Sequence, residues 1–117
     1  MLNFIDKMEE VGEFYRSDEF GIRNFNQIDT QSGYKISVQC SRHHYCTPAK
    51  VSEQLDEYDS FEVAMFYKET FVYPKILDEF QRKEELDRCR RGKVFAFVPK
   101  DLVEDLFNYL NEPIIEA

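Results

Sequence analysis

The chain has no tryptophan, four glycines, four prolines and three cysteines in 117 residues. So little glycine and proline excludes collagen-like repeats and flexible low-complexity linkers. An odd number of cysteines does not form a closed disulfide set. No apolar run approaches the ~20 residues that a membrane span needs. The opening MLNFIDKMEE lacks the basic n-region and apolar h-region of a secretory signal. These absences predict a cytoplasmic, reduced protein with no membrane partner. Basic residues are also scarce, 15 against 23 acidic ones, for a net charge of −8. That balance argues against direct nucleic-acid binding, because neutralising phosphates takes a surplus of Lys and Arg. It permits plain solubility, and it permits an acidic face that competes with nucleic acid for a basic groove. P-loop, dinucleotide-binding, nucleophile-elbow and H-E-x-x-H motifs are missing, so the chain predicts no cofactor and no catalytic residue.

What the chain does hold is enough apolar and aromatic residues for one α+β domain of ordinary size. Residues 2–16 place Phe4, Met8, Val11 and Tyr15 at helical spacing, which predicts an N-terminal helix weakened at Gly12. Residues 22–28 are a candidate strand. Residues 34–40 alternate strictly, with Tyr34, Ile36, Val38 and Cys40 on one side and Lys35, Ser37 and Gln39 on the other. Gly33 in the intervening DTQSG loop suits a hairpin between those two strands. A short helix at 51–58 and a more apolar, central strand at 60–67 (SFEVAMFY) follow. Residues 75–85 carry a narrow apolar stripe. KVFAFV at 93–98, between Gly92 and Pro99, reads as a buried strand. Leu102, Val103, Leu106, Phe107 and Leu110 then trace one face of a C-terminal helix. The expected fold is a single α+β domain over residues 1–117. Its mainly antiparallel sheet of about four strands is packed by the N-terminal and C-terminal helices.

Chemistry-bearing residues concentrate in YKISVQCSRHHYCTP, residues 34–48. Cys40, His43, His44 and Cys46 fall within seven positions, and Cys89 lies apart. Zinc uses four tetrahedral Cys or His ligands, usually as paired short spacings. Here no C-x2-C is present and Cys40 sits on the predicted core face, so buried structural cysteines fit better than a metal site. A small zinc-binding structural protein remains an alternative. A thiolate at Cys46 activated by His43 or His44 is opposed by their closeness in sequence, because such pairs normally meet only in the fold. Arg42, His43, His44 and Tyr45 form one basic knot, and Arg88, Arg90 and Arg91 another. If the two meet, they make a pocket for a nucleotide or other phosphate. The second knot also reads as an ordinary helix end followed by a turn. Aromatics around FYKETFVY at 66–73 predict an exposed edge and a possible homodimer.

The acids are uneven along the chain. Residues 1–33 carry seven acids and three bases, and residues 94–117 carry five and one. Residues 34–60 and 61–93 are nearly neutral. Gly33–Tyr34, Ile36–Ser37–Val38, the loop His44–Tyr45–Cys46–Thr47–Pro48 and the strand Phe61–Glu62–Val63–Ala64 form a pattern over about residues 33–66. This pattern resembles a class of small uncharacterised bacteriophage proteins. The resemblance implies a phage or prophage accessory protein in the cytoplasm of its host. Such proteins often inhibit host defence. The expected function is therefore a non-enzymatic inhibitor of a bacterial defence or host nucleic-acid-binding protein. Its expected contact residues are Glu9, Glu10, Glu13, Asp18, Glu19, Asp101, Glu104 and Asp105.

Overall fold

A computed structural model describes residues 3–12, 16–68, 70–71 and 75–112. Within them lies one antiparallel sheet of six strands: β1 (Ile28–Asp29), β2 (Lys35–Gln39), β3 (Ser60–Tyr67), β4 (Thr70–Phe71), β5 (Arg90–Arg91) and β6 (Val94–Pro99). The strand order is β1-β2-β3-β6-β5, with β4 paired to β3. Two α-helices follow the later strands, α1 (Lys83–Arg88) and α2 (Lys100–Leu110). The architecture is the expected single-domain α+β fold.

The alternation in residues 34–40 builds the core as expected. Ile36, Val38 and Cys40 are fully buried, and they pack with Phe61, Val63 and Met65 of β3. β3 pairs with β2 on one side and β6 on the other, which makes it the centre of the sheet. Leu102, Val103, Leu106, Phe107 and Leu110 of α2 close the same core. At about 25 cal/mol per Å² of apolar area, each fully buried side chain of this size stabilises the fold by about 2 kcal/mol. Gly33 takes a φ of 90° in the turn before β2. Such a value strains any residue with a Cβ.

Several expected helices are shorter than the periodicity predicts. Among the described residues of 2–16, the expected N-terminal helix is one 3₁₀ turn, Phe4–Lys7, capped by the Asn3 side chain. Beyond it the chain extends and lies against residues 22–26. The Val11 N–H donates to Asn24 O at 2.9 Å and the Asn26 N–H donates to Glu9 O at 2.7 Å. Gly12 lowers the helical alternative, and the extended form satisfies backbone groups that the 22–26 segment otherwise exposes. Phe4 and Met8 still reach the core, so their spacing reported burial and not helix. Glu13, Phe14 and Tyr15 lie outside the described residues. The 22–28 strand contracts to bridges at Ile22 and Phe25 plus β1, whose Ile28 pairs with Ile36. The 51–58 helix is a 3₁₀ turn at Leu55–Glu57. The apolar stripe at 75–85 falls on a 3₁₀ turn at Lys75–Glu79 and the start of α1. Of the expected dimer edge at 66–73, Glu69, Val72 and Tyr73 lie outside the described residues.

Arg23 interrupts the 22–28 strand because its side chain turns inward. It is 1% exposed. Its Nη1 donates to Ser52 O at 2.6 Å, and its Nη2 donates to Cys40 O at 2.8 Å and Tyr58 Oη at 3.0 Å. The guanidinium lies over the Phe25 ring at 4.7 Å and near the Tyr58 ring at 5.9 Å. Tyr58 Oη also accepts from the Ser52 N–H at 2.8 Å and donates to Lys50 O. Among the described residues, no carboxylate forms an ion pair with Arg23. A buried charge is tolerated only when dipoles replace its hydration. Here two carbonyls, one hydroxyl and two ring faces do so around Nη1 and Nη2, while the buried Nε has no hydrogen-bond partner among the described residues. Substitution of Arg23 by Met keeps much of the volume but leaves Cys40 O and Ser52 O unpaired. Arg23→Met should lower stability by about 3 kcal/mol or more in urea denaturation. A loss under about 1 kcal/mol would show that the node does not hold this region.

Candidate functional site

The acids that stand far apart in sequence are joined in the fold by the segment running from Ser52 to Asp59. At one end Arg16 gathers three carboxylates. Nη1 meets Glu10 at 2.9 Å, Nε meets Asp18 at 2.8 Å, and Nη2 meets Glu53. The Arg16 guanidinium holds the Glu53 carboxyl below its ordinary range. At the other end Arg82 gathers Glu85 at 2.7 Å, Asp101 at 3.0 Å and Asp105 at 2.7 Å. Between the two nodes Asp56 pairs with Lys100 at 3.1 Å, and Glu104 accepts the Phe4 N–H at 3.0 Å. Asp56, Asp59, Asp101 and Glu104 border a groove of about 520 Å³ floored by Phe4 and Tyr58. Glu10, Asp18, Glu53, Asp56, Glu57, Asp59, Asp101, Glu104 and Asp105 thus form one band. Three cations, Arg16, Lys100 and Arg82, tie it together. Glu9 and Glu19 are exposed nearby, Glu19 in a cleft with Asp18. Glu13 lies outside the described residues.

Composition averages hid Glu53, Asp56, Glu57 and Asp59. Residues 34–60 are nearly neutral overall, yet four acids crowd into EQLDEYD at 53–59. That local density was the available signal.

The loop after β2 is pinned from Ser41 to Cys46. The Arg42 N–H donates to Gly21 O at 3.0 Å. The Arg42 side chain lies so close over Gly21 that an added Cβ would sit 2.6 Å from it. His43 Nε2 and Phe20 O stand 2.9 Å apart. His44 Nδ1 shares a 2.7 Å hydrogen bond with Ser41 Oγ. Burial first, then the neighbouring His43 and Arg23, push the His44 imidazole down to about 4. Cys46 donates its thiol to Ser41 O at 3.2 Å, and burial raises its pKa. Burial likewise pushes the Cys40 thiol up to about 12. Neither thiol has the lowered pKa of an activated nucleophile. Tyr45 reaches across the sheet: its N–H donates to Glu62 Oε2 at 3.1 Å and its carbonyl accepts from the Phe97 N–H at 3.0 Å.

The two basic knots occupy different places. Arg42 borders a cleft of about 460 Å³ with Arg16, Asp18, Lys50 and Glu53, and none of Arg88, Arg90 or Arg91 lines it. Arg88 ends α1, while Arg90 and Arg91 form the edge strand β5, where Arg90 Nε donates to Gly92 O at 3.2 Å. Tyr45 meets β6, the neighbour of β5, through its carbonyl at the Phe97 N–H. Among the described residues, no three His, Cys, Asp or Glu side chains stand close enough to hold a metal ion. No helix there is long and apolar enough to cross a membrane. Compared with family models, curated proteins and solved structures, the chain matches none.

His44 and Glu62 make opposite pH predictions. His44 has a folded pKa of about 4 against an ordinary 6.5, so the unfolded chain binds the extra proton between those values. Its contribution to stability is complete above pH 6.5 and is lost as pH falls toward 4. Burial raises the Glu62 carboxyl, so its contribution is complete below the ordinary carboxylate range and is lost as pH rises through its folded value. His44→Asn should flatten the acid limb of a urea-midpoint profile, and Glu62→Gln should keep or raise stability at neutral pH. An unchanged acid limb in His44→Asn would remove His44 as its cause.

Proposed function

We propose that the chain is a non-enzymatic binding protein that docks its carboxylate band onto a basic, nucleic-acid-binding surface of a bacterial host or defence protein and inhibits it. The observation carrying this reading is the band itself. Its nine carboxylates come from both ends and the middle of the chain, and three cations pair with six of them. Asp18, Glu53, Asp56 and Asp101 have side chains 70–83% exposed even within their ion pairs. Such a field speeds encounter with a positive patch and repels nucleic acid from the same place. The resemblance of residues 33–66 to small phage proteins supports a bacterial partner. A phosphate pocket around Arg42 has less support, because Asp18, Glu19 and Glu53 line the same cleft.

Charge reversal tests the reading. Asp56→Lys, Asp59→Lys and Asp101→Lys alter exposed side chains and should leave the fold intact by circular dichroism. Immobilised parent protein should capture a nucleic-acid-binding protein from bacterial lysate, release it with salt, and block its binding to nucleic acid. The triple variant should capture about tenfold less. Equal capture by the variant, or capture indifferent to salt, would sink the proposal.

A further inference from the structure

The register between β3 and β6 slips once. Phe61 faces Val98, but Val63 faces Phe95. One extra β6 residue is therefore accommodated, and Ala96 and Phe97 together oppose Glu62. Phe97 takes a φ of 53°, a genuine outlier for a bulky side chain. Its ring is 51% exposed, and the Tyr45 ring beside it is 52% exposed. The two ring centroids stand 5.8 Å apart with planes inclined at 52°. The half-buried Glu62 carboxylate lies against the same backbone and accepts one hydrogen bond, from the Tyr45 N–H. Among the described residues, Glu62 makes no ion pair.

The fold alone explains none of these three choices. Glycine would take the left-handed backbone at 97 without strain. A half-exposed ring there adds little burial. Glutamine at 62 would accept the Tyr45 N–H without burying a charge. Strained backbone and unpaired buried charge persist where they serve a function. We propose that Tyr45, Phe97 and Glu62 form a notch for one cationic group, an alkylammonium or guanidinium, supplied by a Lys or Arg side chain of the partner. A cation resting on the open side of the angle between these two touching rings lies within the ~6 Å reach of both ring faces. The Glu62 carboxylate, held at the Tyr45 N–H, supplies the counter-charge. The inference rests on the reading that the partner is basic, and it adds a recognition point separate from the carboxylate band.

The test is amide NMR of the ¹⁵N-labelled chain titrated with blocked arginine, blocked lysine, blocked citrulline as the neutral control, and a free diamine. Blocked arginine or lysine should shift the Tyr45 and Phe97 amides saturably in the millimolar range, while citrulline leaves them in place. Glu62→Gln and Phe97→Gly should each weaken that binding about tenfold. Phe97→Gly also relieves the left-handed backbone, so its fold is retained. Shifts confined to the residues around Asp101, or an equal response to citrulline, would overturn the notch. A free diamine binding more tightly than either blocked residue would overturn the assignment to a partner side chain. Failure here leaves the charge-reversal result on the band untouched. Failure of charge reversal alone leaves the NMR result standing.

Discussion

Arg23 holds together the part of the molecule that has least regular structure. Between the end of β2 and the start of β3 the chain runs for twenty residues with one short 3₁₀ turn. A segment like that has no backbone ladder to define its path. The guanidinium supplies the definition by binding Cys40 O and Ser52 O, while Tyr58, bound to the same guanidinium, closes Lys50 and Ser52. Three stretches of chain thus meet at one planar, rigid donor. Lysine has no fork to bridge them. The exposed acids at 53, 56, 57 and 59 sit on this segment, so their placement between the two termini depends on a buried cation directly beneath.

A second dependence runs through β3. Its central place lets the loop after β2 and the bulge in β6 meet over Glu62. At the bulge, the Phe97 N–H points away from the ladder and is satisfied by Tyr45 O. The irregularity of one strand therefore fixes the position of a loop that begins on another. The same loop buries Cys46 and half-buries His44, and their neutral forms belong to that packing. Tyr45 of this loop and Phe97 of β6 leave their rings half exposed beside the Glu62 carboxylate.

The sheet was legible because its signals are local and periodic. Ile36, Val38 and Cys40 alternate with polar neighbours, and all three are buried. The five apolar residues of α2 repeat at helical spacing, and they are buried too. The N-terminal helix misled because Phe4 and Met8 are core residues that reach the interior from a 3₁₀ turn and an extended chain. Periodicity reports which side chains are buried, and several backbones meet the same pattern. Arg23 was illegible for a different reason. An arginine between two strand-forming stretches reads as solvent-facing, and only the meeting of Cys40, Ser52 and Tyr58 makes an interior position for it. The acids of the two chain ends were visible, but the 53–59 acids that join them were averaged into a neutral window.

The arrangement of the carboxylates goes beyond what plain solubility needs. Soluble acidic proteins need only dispersed charge. Here one arginine gathers Glu10, Asp18 and Glu53, and a second gathers Glu85, Asp101 and Asp105. Exposed ion pairs contribute little to stability, about 0–1 kcal/mol each. Their effect is instead geometric: each guanidinium sets three carboxylates at fixed spacing and leaves the trio with a net negative charge. Ordering those side chains before an encounter removes part of the entropy that binding otherwise costs. A row of anions held at set positions resembles what a nucleic-acid-binding surface is built to meet. Phosphates along a strand are likewise fixed, exposed and incompletely neutralised.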